Sequence, residues 1–194
     1  WWNCQRQLNS NRRRAWNRQI NSFSPNIKRN GSCRRSLLYV SGEESAEQIK
    51  LRIERVGYKP KNLKFLAETN IEQICAAIAE LKPRIAIIDS IQTVYSYEAG
   101  SEAGSVGQIR ACTSKLMEVA KKINVPVLIT GHVTKEGTVA GPKTLEHLVD
   151  VVMYLEGDKF HDYRLLRCSK NRFGSTNEVA VLEMTGTGLE EVKN

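Results

Sequence analysis

From Leu37 onward the chain alternates short apolar runs with stretches of helical period, and that alternation restricts the fold more than any other feature. Leu37-Leu38-Tyr39-Val40 reads as a buried strand, followed by the turn Ser41-Gly42-Glu43-Glu44-Ser45 and a helix to about Val56. Asn62 to Leu66 reads as a second strand. Asn70 to Lys82 reads as a helix with Ile74, Ala77, Ile78 and Leu81 on its apolar face. Ile85-Ala86-Ile87-Ile88 is a buried strand ending at Asp89. A helix is expected over Ser105 to Asn124, then a strand over Val125 to Thr130. Three further strands, Val151–Leu155, Tyr163–Arg167 and Val179–Leu182, have the spacing of hairpins. Strand–helix alternation with a β-rich end predicts an α/β fold: a mainly parallel sheet flanked by helices, with an antiparallel C-terminal extension.

Composition divides the chain at the same place. The formal charge of +8 suggests an anionic partner, but nine of the 29 Lys and Arg fall in residues 1–36, which contain no acid. Residues 37–194 therefore hold 20 basic against 21 acidic side chains. The five cysteines show no two-residue spacing of a zinc or thiol-redox site, which favours a reduced, cytoplasmic chain. No run approaches the roughly 18 apolar residues of a membrane span, and the first 20 residues lack the core of a signal peptide. A chain that opens on Trp1 reads as a fragment.

Residues 1–36 have no helical or strand period, so they read either as a disordered basic arm or as a mistranslated segment. Tryptophan has one codon, TGG, and reading one base later turns every tryptophan into glycine. Applied to Ala15 through Ser22, the shift permits Pro-Gly-Ile-Gly-Lys-Ser-Thr-Leu, the centre of a Walker A loop. Such a loop turns successive N–H groups toward phosphates, its lysine reaches the terminal phosphates and its hydroxyl holds magnesium. As translated, the chain has no such loop.

Several side chains are placed for chemistry. A strand ending in Asp89 delivers a carboxylate to the sheet edge as a Walker B strand does, although an aspartate there equally serves as a turn or helix cap. Glu43 follows the preceding strand, where a carboxylate can deprotonate water; Glu43 and Glu44 also suit the first turn of a helix. His132 is placed to report on a nucleotide terminus or simply to bond locally. The glycine-rich stretch Gly131–Pro142, with Thr134, Lys135 and Gly137, suits a loop that orders on a phosphate backbone, or an inert surface loop. In Lys170-Asn171-Arg172-Phe173-Gly174, extended backbone would point Lys170 and Arg172 the same way as charged fingers; otherwise they are exposed strand-end cations.

Taken in order, Leu37–Ser45, Ile88–Tyr95, Gly131–Gly137, Leu145–Asp150 and the Lys-Asn-Arg-Phe-Gly string resemble the RadA/Sms family of bacterial DNA-recombination ATPases, relatives of RecA. The likeness covers residues 37–194 and implies a RecA-type P-loop ATPase core. It implies ATP and Mg2+ as cofactors, homo-hexameric rings, movement on single-stranded and branched DNA, and work beside the RecA filament in DNA repair. It further implies Glu43 as catalytic glutamate and Asp89 as the acid that holds magnesium with the nucleotide. Lys170 and Arg172 would act across the subunit interface. The family's four-cysteine zinc module and Lon-protease-like domain have no counterpart in these residues, so zinc belongs only to the absent module. The alternative is a non-catalytic DNA-binding module that uses the basic tail.

Overall fold

A computed structural model describes residues 36–57, 62–132, 145–157, 162–186 and 188–192. The questioned N-terminal segment up to residue 35, and the expected DNA-contacting residues Thr134, Lys135 and Gly137, lie outside them. The chain divides into two compact units, meeting in sequence between Val149 and Asp150.

The first unit is built on four parallel strands: β1 (Leu37–Ser41), β2 (Leu63–Ala67), β3 (Ile85–Asp89) and β4 (Val127–Ile129), in the spatial order β2-β1-β3-β4. Helices α1 (Ala46–Arg55), α2 (Ile71–Leu81) and α3 (Val106–Ile123) make the crossovers. Their ends follow local chemistry. Ser45 and Gln48 form a reciprocal capping box at α1, the Asn70 side chain accepts from the Gln73 N–H at α2, and Lys82 and Asn124 stop α2 and α3 in the left-handed region.

Period two in the strands decides which face is buried. Leu38 and Val40 of β1 and Ala86 and Ile88 of β3 lie on one face within the core, together with Ile71, Ile74 and Ile78 of α2 and Ile109, Cys112 and Leu116 of α3. Fully burying each isoleucine contributes roughly 2 kcal/mol. The alternate residues Tyr39, Ile87 and Asp89 are only half-buried, on the opposite face. β4 is shorter than expected: Val125 and Pro126 stay outside it, and Pro126 has no N–H to give a ladder although its carbonyl accepts from Ala86.

After β3 the chain forms a 3-10 turn, Tyr97–Ala99, that the sequence did not signal. Buried Gln108 fixes its base: its Nε2 donates to the carbonyls of Ser96 at 2.9 Å and Ser101 at 2.6 Å, and its Oε1 accepts from the Ser96 N–H at 2.9 Å. Lys115 donates to Glu72 and Glu98, both at 2.6 Å, and Ser96 Oγ also donates to Glu72 at 2.6 Å. Burial acts to raise the Glu72 carboxyl, but hydrogen bonds from Lys115 and Ser96 leave it below its ordinary 4.5. Hydrogen bonds to Glu72 and then Glu98 raise the Lys115 ammonium.

A depressed carboxyl contributes stability above its unfolded value, and that contribution disappears as pH falls through the folded value. The raised Lys115 contributes below its ordinary 10.5 and loses that contribution only as pH rises through its folded value. Of this pair, only Glu72 acts on the acid limb. Thermal melts from about pH 7 to about pH 3 are expected to show Glu72→Gln less stable than the parent at neutrality, with the gap closing below about pH 4. An equal gap at both ends would contradict the assignment.

The second unit is a four-stranded antiparallel sheet, β5 (Val151–Gly157), β6 (Tyr163–Asn171), β7 (Val179–Thr185) and β8 (Gly188–Glu191), paired in sequence order. The antiparallel strands thus form a sheet of their own, and β8 was not read from the sequence. β6 runs on to Asn171, so Lys170 lies within a strand and not after one. Arg172 falls in the turn after it, which removes the extended geometry that was to point both cations the same way.

Candidate functional site at the carboxyl edge of the parallel sheet

β1 and β3 are neighbours, yet the chain leaves β1 toward β2 on one side and leaves β3 toward β4 on the other. Strand order therefore reverses between their carboxyl ends, which opens a crevice where open α/β sheets bind ligands. Glu43 and Asp89 both stand at that point.

Asp89 is held from two sides. Tyr39 shares its sheet face, since Tyr39 is paired with Ile87 and Asp89 lies two residues further along β3. The Tyr39 hydroxyl donates to Asp89 Oδ2, and the Thr130 hydroxyl, just past β4, donates to Oδ1 at 2.8 Å. Phe65, opposite Tyr39 on β2, stacks on its ring at a centroid distance of 6.4 Å. Burial, then the hydrogen bond to Asp89, raises the Tyr39 phenol well above its ordinary value of 10.0. At neutral pH it is a fixed donor.

Glu43 sits in a turn made by Ser41, whose hydroxyl accepts from the N–H groups of Glu43 at 3.2 Å and Glu44 at 3.0 Å. The two acids then separate. Glu44 pairs with Arg52 of α1, while Glu43 Oε1 accepts from the buried Ser90 hydroxyl at 2.7 Å. Gly42 N–H donates to the Asp89 carbonyl at 3.3 Å, and the Asp89–Ser90 peptide bond is cis.

His132 reaches the same place. Its carbonyl accepts from Gln92 Nε2 at 3.2 Å, and its Nε2 lies 3.9 Å from Glu43 Oε1, an ion pair only when the imidazole is protonated. Glu43, Asp89 and His132 are thus brought together. Sequence reasoning missed Tyr39, Ser90, Thr130 and Gln92, because only the fold brings Tyr39 and Thr130 to Asp89, Ser90 to Glu43 and Gln92 to His132.

Lys170 and Arg172 belong to the second unit. There Arg172 N–H donates to the Asp150 carbonyl at 3.0 Å, and its guanidinium Nη1 donates to Asp150 Oδ1 at 2.8 Å. Among the described residues no group of three metal-ligating side chains occurs, and no helix is long and apolar enough to cross a membrane.

The parallel sheet with its flanking helices has a RecA-type fold, and the chain belongs to the family described as AAA domain, whose model matches residues 21–138. Within that class it is a RadA-type core. It is 53% identical over 159 residues to the DNA repair protein RadA of Bacillus subtilis strain 168, an alignment covering 82% of the chain and 35% of the relative. It is 55% identical to RadA of Halalkalibacterium halodurans over 158 residues, covering 81% of the chain and 35% of the relative. For RadA of Streptococcus pneumoniae the identity is 53% over 82% of the chain and 38% of the relative. The chain thus spans little more than a third of the curated relatives it matches. Among solved structures, a KaiC-like protein of the archaeon Pyrococcus horikoshii OT3 matches with a TM-score of 0.55 at 14% identity, over 82% of the chain and 77% of that protein. That likeness bears on the fold alone.

Proposed function

We propose that the chain is the carboxylate-bearing part of a DNA-dependent ATPase that assists branch migration of recombination intermediates. It would work as a homo-hexameric ring in the cytoplasm, on single-stranded and branched DNA and beside the RecA filament. The observation that supports this most is the meeting of Glu43 and Asp89 at the switch point of the sheet. Asp89 accepts one hydroxyl on each oxygen and retains lone pairs, a hard donor set that suits magnesium through water. Asp89 would hold that ion, which supplies charge neutralisation on the phosphates of ATP.

The chain's own residues would then divide the work. Glu43 takes the proton of the attacking water, Tyr39 and Thr130 keep Asp89 in one orientation, and His132 senses the nucleotide terminus beside Glu43. Arg172 and Lys170 would complete a neighbouring subunit's site by facing charge that develops on the transferring phosphoryl group. Thr134, Lys135 and Gly137 would contact the DNA backbone.

Nucleotide binding tests the reading. Titration calorimetry on the chain as translated is expected to show no micromolar ATP binding, since Ala15–Ser22 carry no phosphate cradle. Exchanging those eight residues for Pro-Gly-Ile-Gly-Lys-Ser-Thr-Leu is expected to create it. Tight binding before the exchange, or none after it, would refute the reading. If DNA affinity collapsed on removing residues 1–36, the basic-tail DNA-binding module would take its place.

A further inference from the structure

We infer that Ser90 is a positioning residue for Glu43: it holds one carboxylate oxygen so that the other is left to face the attacking water. The inference rests on the ATPase reading above for its consequence, but the contact itself is a property of this chain. Ser90 is fully buried, and its hydroxyl donates to Glu43 Oε1 at 2.7 Å across 47 positions of sequence. An ionised carboxylate only accepts hydrogen bonds, so the hydroxyl proton has one direction to point.

The donor is buried and tied into a turn, whereas the acceptor side chain is exposed. The Ser90 carbonyl accepts from Thr93 Oγ1 at 2.9 Å and from Thr93 N–H at 3.3 Å, which closes the turn Ser90–Thr93. The Glu43 side chain is 42% exposed, and its other near neighbour, His132 Nε2, lies at 3.9 Å, beyond hydrogen-bond reach. A glutamate with three free torsions samples many rotamers, and one bond from a fixed donor removes most of them. The same bond occupies Oε1 and leaves Oε2 for a proton.

The test is the rotamer of Glu43, read from side-chain scalar couplings by NMR in the full 194-residue chain. The parent is expected to show one dominant rotamer, and Ser90→Ala averaged couplings. Glu43→Gln should keep the single rotamer, because its amide oxygen still accepts from Ser90. Unchanged couplings in Ser90→Ala would overturn the inference.

A second readout uses the chain carrying the exchanged loop. There Ser90→Ala is expected to lower kcat by about tenfold to a hundredfold with KM within about twofold, as for a misplaced base. An unchanged kcat would also overturn it. Were the exchanged chain to hydrolyse no ATP at all, the ATPase reading would fall while the couplings still decided the role of Ser90.

Discussion

In a full-length RadA-type protein carrying this core, Arg172→Ala is expected to cut DNA-stimulated ATP hydrolysis by about a hundredfold or more, as loss of an arginine finger does. Protomer stability should hardly change. Within its own unit Arg172 pairs with Asp150, and the two side chains are 50% and 39% exposed. A pair that open to solvent contributes at most about 1 kcal/mol. A large kinetic loss with a small thermal one would therefore place its role in the transition state, where charge on a transferring phosphoryl group needs a partner.

Mixing subunits makes the test stricter. Arg172→Ala and Glu43→Gln would spoil opposite halves of a shared site, so mixed rings should regain activity at interfaces that pair an intact Glu43 with an intact Arg172. Near-normal hydrolysis by Arg172→Ala alone would remove Arg172 from the chemistry and leave it as the partner of Asp150.

The parts of this site that the sequence exposed are those that depend on one strand at a time. Four apolar residues before Asp89, and a turn of small and acidic residues after Val40, announce a buried strand and its exit turn without reference to any neighbour. Tyr39 could not be found that way. In the sequence it is one apolar residue among four, and only the pairing of Tyr39 with Ile87 puts its hydroxyl on the face of Asp89, 50 positions away. Ser90 and Thr130 were hidden for the same reason. Their partners are set by the order β1-β3-β4, and composition carries no record of strand order.

The errors in the C-terminal unit have a different physical origin. Apolar residues marked a strand over Tyr163–Arg167, but β6 continues through Cys168, Ser169 and Lys170, where that apolar signal fades while the ladder to β5 persists. Hydrogen-bonded pairing with Val151 and Val152 extends the strand past the point where hydrophobicity stops marking it. The reading that gave Lys170 and Arg172 one extended geometry therefore does not hold, since Lys170 lies within the strand and Arg172 in the turn after it.

Gly42→Ala is expected to be among the most damaging single-methyl changes in the parallel unit. A Cβ there would stand 2.5 Å from Thr69 Cγ2, 2.6 Å from Thr93 Oγ1 and 2.9 Å from Thr93 Cβ, all well inside van der Waals contact. Both threonines are tied in place, Thr93 by its hydroxyl and Thr69 by its backbone. Thr93 Oγ1 donates to the Ser90 carbonyl at 2.9 Å, and the Thr69 carbonyl accepts from Tyr95 N–H at 2.9 Å. The rest of the strain falls on the backbone of residue 42, whose N–H donates to the Asp89 carbonyl at 3.3 Å and whose next residue is Glu43. Overpacking of this kind costs about 2–3 kcal/mol, and a chain of this size should melt roughly 5–10 °C lower. Because the clash has named partners, a double-mutant cycle isolates it: Thr69→Ser and Thr93→Ala together remove two of the three opposing atoms. In that background Gly42→Ala should cost clearly less than in the parent, a coupling of at least about 1 kcal/mol. Additive losses, or a Gly42→Ala chain that melts with the parent, would mean that Gly42 is not what brings the ends of β1 and β3 close enough for Ser90 to reach Glu43.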